Sequence, residues 1–201
     1  MKIHPLGIEG AFEVEPELRG DSRGQFMEWY RWDALAEAVG HPLKLAQANI
    51  SISAAGVVRG IHFASVPVGQ AKYITCMQGA LLDVVVDLRV GSPTFGKWEA
   101  VRLNETNRRS VYLAEGLGHG FCALTDNTMI AYMCSAVYNP AAEFVVHPLD
   151  PALGIEWPVA QPILSARDET APTLAEAEQK GILPQFSDCR DYTASLRHGG
   201  M

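Results

Sequence analysis

The run VVRGIHFASVPVGQAKY, residues 57–73, decides how this chain is read. It is strand-like, rich in Val and Ile, and otherwise apolar. Yet Arg59, His62 and Lys72 fall inside it, two cations and an imidazole where a core would be expected. In a regular strand Arg59 and Ile61 share one face, and Gly60 and His62 share the other. Gly60 is a natural place for a bulge that would re-aim one of them. A bland reading fits too: a rim arginine, and a core histidine satisfied by one carboxylate or carbonyl.

Working outward, residues 45 to about 147 are β text. LAQANISIS, GVVRGIHFA, AKYITCMQG, ALLDVVVDLRV, GKWEAVRLN, SVYLAEG, HGFCALTD, TMIAYMCSAVY and EFVVHPL follow one another, punctuated by Gly, Asn, Asp or Pro. Nine short strands at even spacing predict a sandwich or barrel. Residues 6–31 read as short strands and turns around RGDSRG. WDALAEAVGHP reads as a short helix, with Asp33 as its cap and Gly40 and Pro42 as its stop. The tail from about 165 is helical in character: Thr173 and Glu176 form a capping box, and Gly181 and Pro184 end that helix. The expected fold class is all-β, with short peripheral helices, in one domain spanning residues 1–201.

Composition narrows function. A chain of 201 residues with 48% hydrophobic content can bury one sizeable core. A net charge of -7 without a basic run disfavours nucleic acid and membrane surfaces, although one basic pocket for an anionic ligand remains compatible. No apolar run reaches the roughly 20 residues of a membrane span, and MKIHPLGIEG lacks the apolar segment of a signal peptide. A cytoplasmic location is expected. Cys76, Cys122, Cys134 and Cys189 form no CxxC pair, which predicts reduced, mostly buried thiols.

Two spacings add a fold-level resemblance. Gly56-x5-His62 with Gly79 resembles the first signature of the cupin superfamily, and Gly116-Leu117-Gly118-His119 resembles the second. Together they imply a double-stranded jelly roll. Metal-binding cupins carry two His and one Glu in the first signature and one His in the second. Here the second His position is Ala64 and the Glu position is Lys72. A cationic side chain repels a divalent ion, and two imidazoles without a carboxylate make a poor metal site. Neither metal nor other cofactor is expected. Arg59, Lys72, His62 and His119 suit an anionic ligand and an anionic intermediate instead.

The blocks DSRGQFMEWY, QANISIS, GVVRGIHF, QAKYITCMQGALLDVVVDLRVGSPTFGKW, LGHGFCALTD, AYMCSAVYNPAAE, DPALGIEWP and ILSARD, in that order, resemble the dTDP-4-dehydrorhamnose 3,5-epimerase family, metal-free cupins of deoxysugar biosynthesis. The resemblance runs from about residue 8 to about 185. It implies epimerisation beside the C4 ketone of a dTDP-4-keto-6-deoxyhexose. By position it makes His62 the base, Asp168 the carboxylate that orients it, Lys72 the cation facing the enolate oxygen, and Tyr132 the acid on the opposite face. It makes Arg59 and His119 diphosphate ligands. Gln47 and Asn49 would line the nucleotide and phosphate region, and Tyr138 would pack near the thymidine. Arg23, Phe26 and Glu28 would reach a neighbouring subunit's site, in a homodimer that exchanges its N-terminal strands, residues 6–31.

Read without the family, a turn or cap role is the alternative for Asp168, and Tyr132 on a strand is more often a core aromatic with a satisfied hydroxyl. The chain departs from the common pattern at Ala64, Ala114 and Phe144, none of them a catalytic position. Those departures, with GIEGAFEVEPE and AKYITC, resemble the antibiotic-sugar branch, and the reading leans to C3-only action over double epimerisation. Two other readings compete. A metal-dependent cupin oxygenase or isomerase is opposed by Ala64 and Lys72. A non-catalytic binding cupin is opposed by the set His62, Lys72, Tyr132 and Asp168, since a binder needs no base with an opposed acid.

Overall fold

The computed structural model describes residues 1–198, with only the backbone of His198. Alternating apolar residues form two antiparallel sheets that pack face to face. The larger has the order β1 (Lys2–Pro5), β2 (Ala11–Glu15), β10 (Ser110–Leu113), β7 (Lys72–Gln78), β12 (Thr128–Cys134), β5 (Gln47–Ser53). The smaller runs β13 (Glu143–Val145), β6 (Val58–Ala64), β11 (Leu117–Ala123), β8 (Ala80–Asp87), β9 (Trp98–Asn104). From β5 to β13 successive strands switch sheets, except β8 and β9, which pair as neighbours in the smaller one, in keeping with the jelly-roll expectation. A separate hairpin, β3 (Arg19–Asp21) with β4 (Gly24–Phe26), pairs with neither sheet. All nine strands expected between residues 45 and 147 form. β1 precedes the stretch in which strands were expected.

The central core lies between the sheets: Ile74, Cys76, Val111 and Leu113 meet Leu81, Val85, Leu103 and Leu117. Each such side chain contributes about 1.5–3 kcal/mol on leaving water. A second cluster, from Ile61, Phe63 and Val84 to Leu174 and Leu183, packs the C-terminal segment onto the outer face of the smaller sheet. A third packs Leu35 and Val39 onto Tyr73, Tyr112 and Met133 of the larger sheet.

Helix α1 (Trp32–Val39) ends at Gly40 in the left-handed conformation, φ +93°, as expected. Its start corrects the sequence reading. Arg31 is the cap residue and no side chain caps the helix; Asp33 lies inside the first turn. Its carboxylate is taken by Arg31, whose Nε donates to Oδ1 at 3.1 Å. The capping box of α3 (Leu174–Gln179) forms as read: Glu176 N–H donates to Thr173 Oγ1 at 3.2 Å, and Thr173 N–H to Glu176 Oε2 at 2.8 Å. Two further helices are α2 (Ala166–Glu169) and α4 (Phe186–His198). Cys76, Cys122, Cys134 and Cys189 are free and buried. Among the described residues no helix is long and apolar enough to cross a membrane.

Candidate active site

The site begins with a break in the β6–β11 register. His62 faces His119 and Arg59 faces Phe121, so Gly60 and Ile61 together oppose Gly120 alone. This is a β-bulge. Gly60 adopts φ +127°, and a Cβ there would lie 2.6 Å from Gly120 Cα and 2.7 Å from the His119 carbonyl oxygen. A side chain at 60 would therefore push the strands apart. The bulge overturns regular alternation: Ile61 goes into the outer cluster, and Arg59 and His62 both turn into one cavity between the sheets.

That cavity, about 180 Å³, is lined by Ser51, Arg59, His62, Lys72, His119, Phe121 and Tyr132. Arg59, His62, His119 and Phe121 belong to the smaller sheet; Ser51, Lys72 and Tyr132 belong to the larger. His62 and Tyr132 thus enter from opposite walls.

Asp168 reaches His62 from α2. Ser165 caps that short helix, its hydroxyl accepting from Asp168 N–H at 3.1 Å. His62 Nε2 lies 2.7 Å from Asp168 Oδ1, and Asp168 is buried. Burial alone would raise the Asp168 carboxyl. The hydrogen bond and charge of His62, with Ser165 and the Gly60 N–H, outweigh it and hold the carboxyl below its usual range. As an ionised carboxylate only accepts, Nε2 carries the proton and Nδ1 keeps the lone pair. Asp168 thus fixes the orientation and tautomer of the His62 ring.

His119 has its own carboxylate, which the sequence reading missed: Nε2 lies 2.8 Å from Asp83 Oδ2. The period-2 pattern of ALLDVVVD marks Asp83 as an acidic residue inside an apolar strand, a signal that could have found it. Ser51 and Phe121 were missed as well. Arg59 Nε donates to Ser53 Oγ at 3.2 Å, which steadies the guanidinium at the cavity wall.

Lys72 opens β7, between Leu113 and Cys134 of the flanking strands. It is 8% exposed, and burial lowers its pKa; Cys134, Glu143 and Glu115 act against that lowering without cancelling it. Among the described residues no ion pair holds its ammonium. The Tyr132 phenol is raised by burial, Arg59 offsetting part of the rise, so it enters the cavity protonated at neutral pH.

Gln47, Asn49 and Ser51 project inward from β5, while Ala48, Ile50 and Ile52 are exposed. Gln47 Nε2 donates to Asn49 Oδ1 at 2.8 Å, and Gln47 Oε1 accepts from Tyr138 N–H at 2.8 Å. These three form a cluster of their own outside the residues lining the cavity, and Tyr138 is exposed. Arg23, Phe26 and Glu28 do not come to the cavity of their own chain. Arg23 lies on the free hairpin and is paired with Asp21 (Nε to Oδ2, 3.1 Å), and Phe26 is 65% exposed. The cupin metal position offers no ligand set here. Ala64 has no donor atom in its side chain, and Lys72 stands where a carboxylate would be.

Comparison with known proteins agrees with this geometry over nearly the whole chain. Residues 5–176 match the family model for dTDP-4-dehydrorhamnose 3,5-epimerase. A dTDP-4-dehydrorhamnose 3-epimerase of Streptomyces niveus is 58% identical over 96% of this chain and 93% of its own length. A dTDP-4-dehydrorhamnose 3,5-epimerase of Mycolicibacterium smegmatis is 54% identical over 98% of each. The crystal structure of NovW, a 4-keto-6-deoxy sugar epimerase from the novobiocin biosynthetic gene cluster of Streptomyces spheroides, superposes with a TM-score of 0.93. It is 59% identical, over 94% of this chain and 95% of that one. Its relatives cover it nearly end to end, and the chain belongs to the dTDP-4-dehydrorhamnose 3,5-epimerase family.

Proposed function

We propose that the chain is a cofactor-independent isomerase that inverts C3 of a dTDP-4-keto-6-deoxyhexose through an enolate. The observation that carries this reading is the opposition of His62 and Tyr132 across one cavity beside Lys72. The C4 ketone acidifies the hydrogens on C3 and C5. His62 Nδ1 removes the C3 proton, and Asp168 stabilises the imidazolium that forms. Charge moves to the C4 oxygen, where the Lys72 ammonium offsets it. Tyr132 gives a proton to the opposite face, and the carbon is inverted. Solvent then restores both groups.

Arg59 and His119 hold the diphosphate; a guanidinium suits phosphate oxygens because its donors lie in one plane. The cluster of Gln47, Asn49 and Tyr138 faces the nucleotide. Arg23, Phe26 and Glu28 serve the partner's cavity in a homodimer, a role supported by the free-standing hairpin that carries Arg23 and Phe26, with Glu28 two residues beyond it. Four free, buried thiols support action in the cytoplasm.

A double epimerase acting at C3 and C5 is the second reading, favoured by the relative that carries that name at 54% identity. Incubation with dTDP-4-keto-6-deoxyglucose in deuterated water, followed by NMR, separates the two. Deuterium and inversion at C3 alone are expected. Label at both carbons would establish the double epimerase, and label at neither would overturn the isomerase reading.

A further inference from the structure

On the far side of the larger sheet from the catalytic cavity lies a small cavity of about 40 Å³. It is bounded by the segment after α1 (His41–Lys44), by Tyr112, Glu115 and Ser135, and by Tyr192 and Leu196 of α4. Three buried polar atoms on its walls have no partner: His41 Nε2, Tyr112 Oη and Glu115 Oε2. Their residues are 5%, 1% and 3% exposed. A buried donor or acceptor left without a partner loses its hydration with nothing in return.

We propose that this cavity binds an ordered water joining His41, Tyr112 and Glu115, and that Glu115, so held, is a positioning residue for Lys72. The donors and acceptors match one water. His41 Nδ1 lies 3.2 Å from the Pro42 carbonyl oxygen, which can only accept, so Nδ1 carries the proton and Nε2 of the neutral ring must accept. Glu115 Oε2 also accepts, whereas the Tyr112 hydroxyl donates. A water gives one hydrogen to each acceptor and receives the third. About 10–15 Å³ suffices for one water, so the space fits.

Glu115 is tied to the catalytic strand from its other oxygen. Oε1 accepts from Ser135 Oγ at 2.9 Å, and Ser135 Oγ accepts from Ala71 N–H at 2.8 Å. Ser135 N–H donates to the Ala71 carbonyl at 3.0 Å. Ala71 and Ser135 adjoin Lys72 and Cys134, a register pair. The charge of Glu115 therefore sits just behind the strand start that aims the Lys72 ammonium. The other titratable or charged groups that face Lys72 are Arg59 and His62 of β6, His119 of β11, Tyr132 and Cys134 of β12, and Glu143 of β13. The two carboxylates, Glu115 and Glu143, come from different elements, so removing Glu115 leaves Glu143 in place.

This inference rests on the enolate role of Lys72 only for its catalytic consequence, and its test does not. The chain has five lysines, so the whole protein labelled with 13C-lysine gives an assignable NMR titration, Lys72→Arg identifying the buried signal. In Glu115→Gln the Lys72 midpoint is expected to fall by about half a pH unit or more, with Lys2, Lys97 and Lys180, away from the cavity, unmoved. Ser135→Ala, which frees Glu115 from the strand while keeping its charge, is expected to give a smaller fall. A crystal structure of the wild type is expected to show water within hydrogen-bond distance of His41 Nε2, Tyr112 Oη and Glu115 Oε2. An unmoved Lys72 midpoint in folded Glu115→Gln would overturn the positioning role, and a dry cavity would overturn the water. Failure of the epimerase reading is read separately, as loss of deuterium exchange in the wild type.

Discussion

Nε2 of His62 lies 2.7 Å from Oδ1 of Asp168, although 106 residues separate them. The contact joins β6 to a four-residue helix that Ser165 caps. Because Nε2 is committed to Asp168, only Nδ1 is left to take a proton. Asp168→Asn keeps the shape but allows the other tautomer, so deuterium incorporation at C3 should fall by about a hundred- to ten-thousand-fold. The affinity for dTDP should stay within a few fold, by calorimetry. His62→Ala should abolish exchange with the same affinity. A turnover near that of wild type in His62→Ala would remove it as the base.

Tyr132 enters from the facing sheet, so its loss should separate the two proton transfers. In Tyr132→Phe the first proton is still lost, and deuterium returns from the side it left. NMR should show exchange at C3 with retention of configuration. Unchanged inversion would take Tyr132 out of the mechanism.

Lys72 should trade stability for catalysis. Its folded pKa lies below the unfolded value of 10.5, so the ammonium destabilises the fold at neutral pH, and that cost fades as pH rises through the folded value. Lys72→Met should therefore melt higher than wild type at pH 7 while exchanging C3 hydrogen about a hundred- to a thousand-fold more slowly. The wild-type rate should decline on the alkaline side at a pH below 10.5. A lower melting temperature in Lys72→Met would contradict the lowered pKa.

Asp168 works in the opposite direction. Its folded pKa lies below the unfolded 3.8, so its stabilising contribution is complete above that value and is lost as pH falls through the folded one. Thermal melts of wild type should fall below about pH 4, and the decline should be shallower in Asp168→Asn. Parallel declines would show that the pair adds nothing to stability.

Gly60→Ala tests the bulge. The new Cβ would meet Gly120 Cα and the His119 carbonyl at 2.6 and 2.7 Å, at a φ of +127°. A loss of about 2–4 kcal/mol is expected, from backbone strain and crowding together. For a chain of this size the melting temperature should drop by about 5–10 °C. Activity should drop further than stability explains, because Arg59 and His62 would no longer share one cavity.

The local signals in the sequence were reliable wherever the physics is local. Side-chain alternation and turn residues placed all nine strands from residue 45 to 147, because each strand's period is written into neighbouring residues. The Thr173–Glu176 capping box is complete within four positions, and it formed. Asp33 failed as a cap because Arg31, two residues away, offered its carboxylate a stronger charge-assisted bond. Lys72 and Ala64 at the cupin ligand positions were legible too, since they need only spacing.

What tertiary structure alone decided was direction and partnership. Whether Arg59 shares a face with Ile61 or with His62 turned on a register shift against β11, which no property of β6 by itself dictates. Asp83 beside His119 required two strands 36 residues apart to close on one another, whereas Asp168 beside His62 was implied in the sequence only through the family resemblance, never by the residues themselves. The small cavity behind Lys72 exists only because α4 packs over the segment after α1. The sequence by itself determined which residues could do chemistry and which runs would be strands. The packing of two sheets against each other determined which of those residues meet, because hydrogen bonds between buried side chains depend on distances that only the closed sandwich sets.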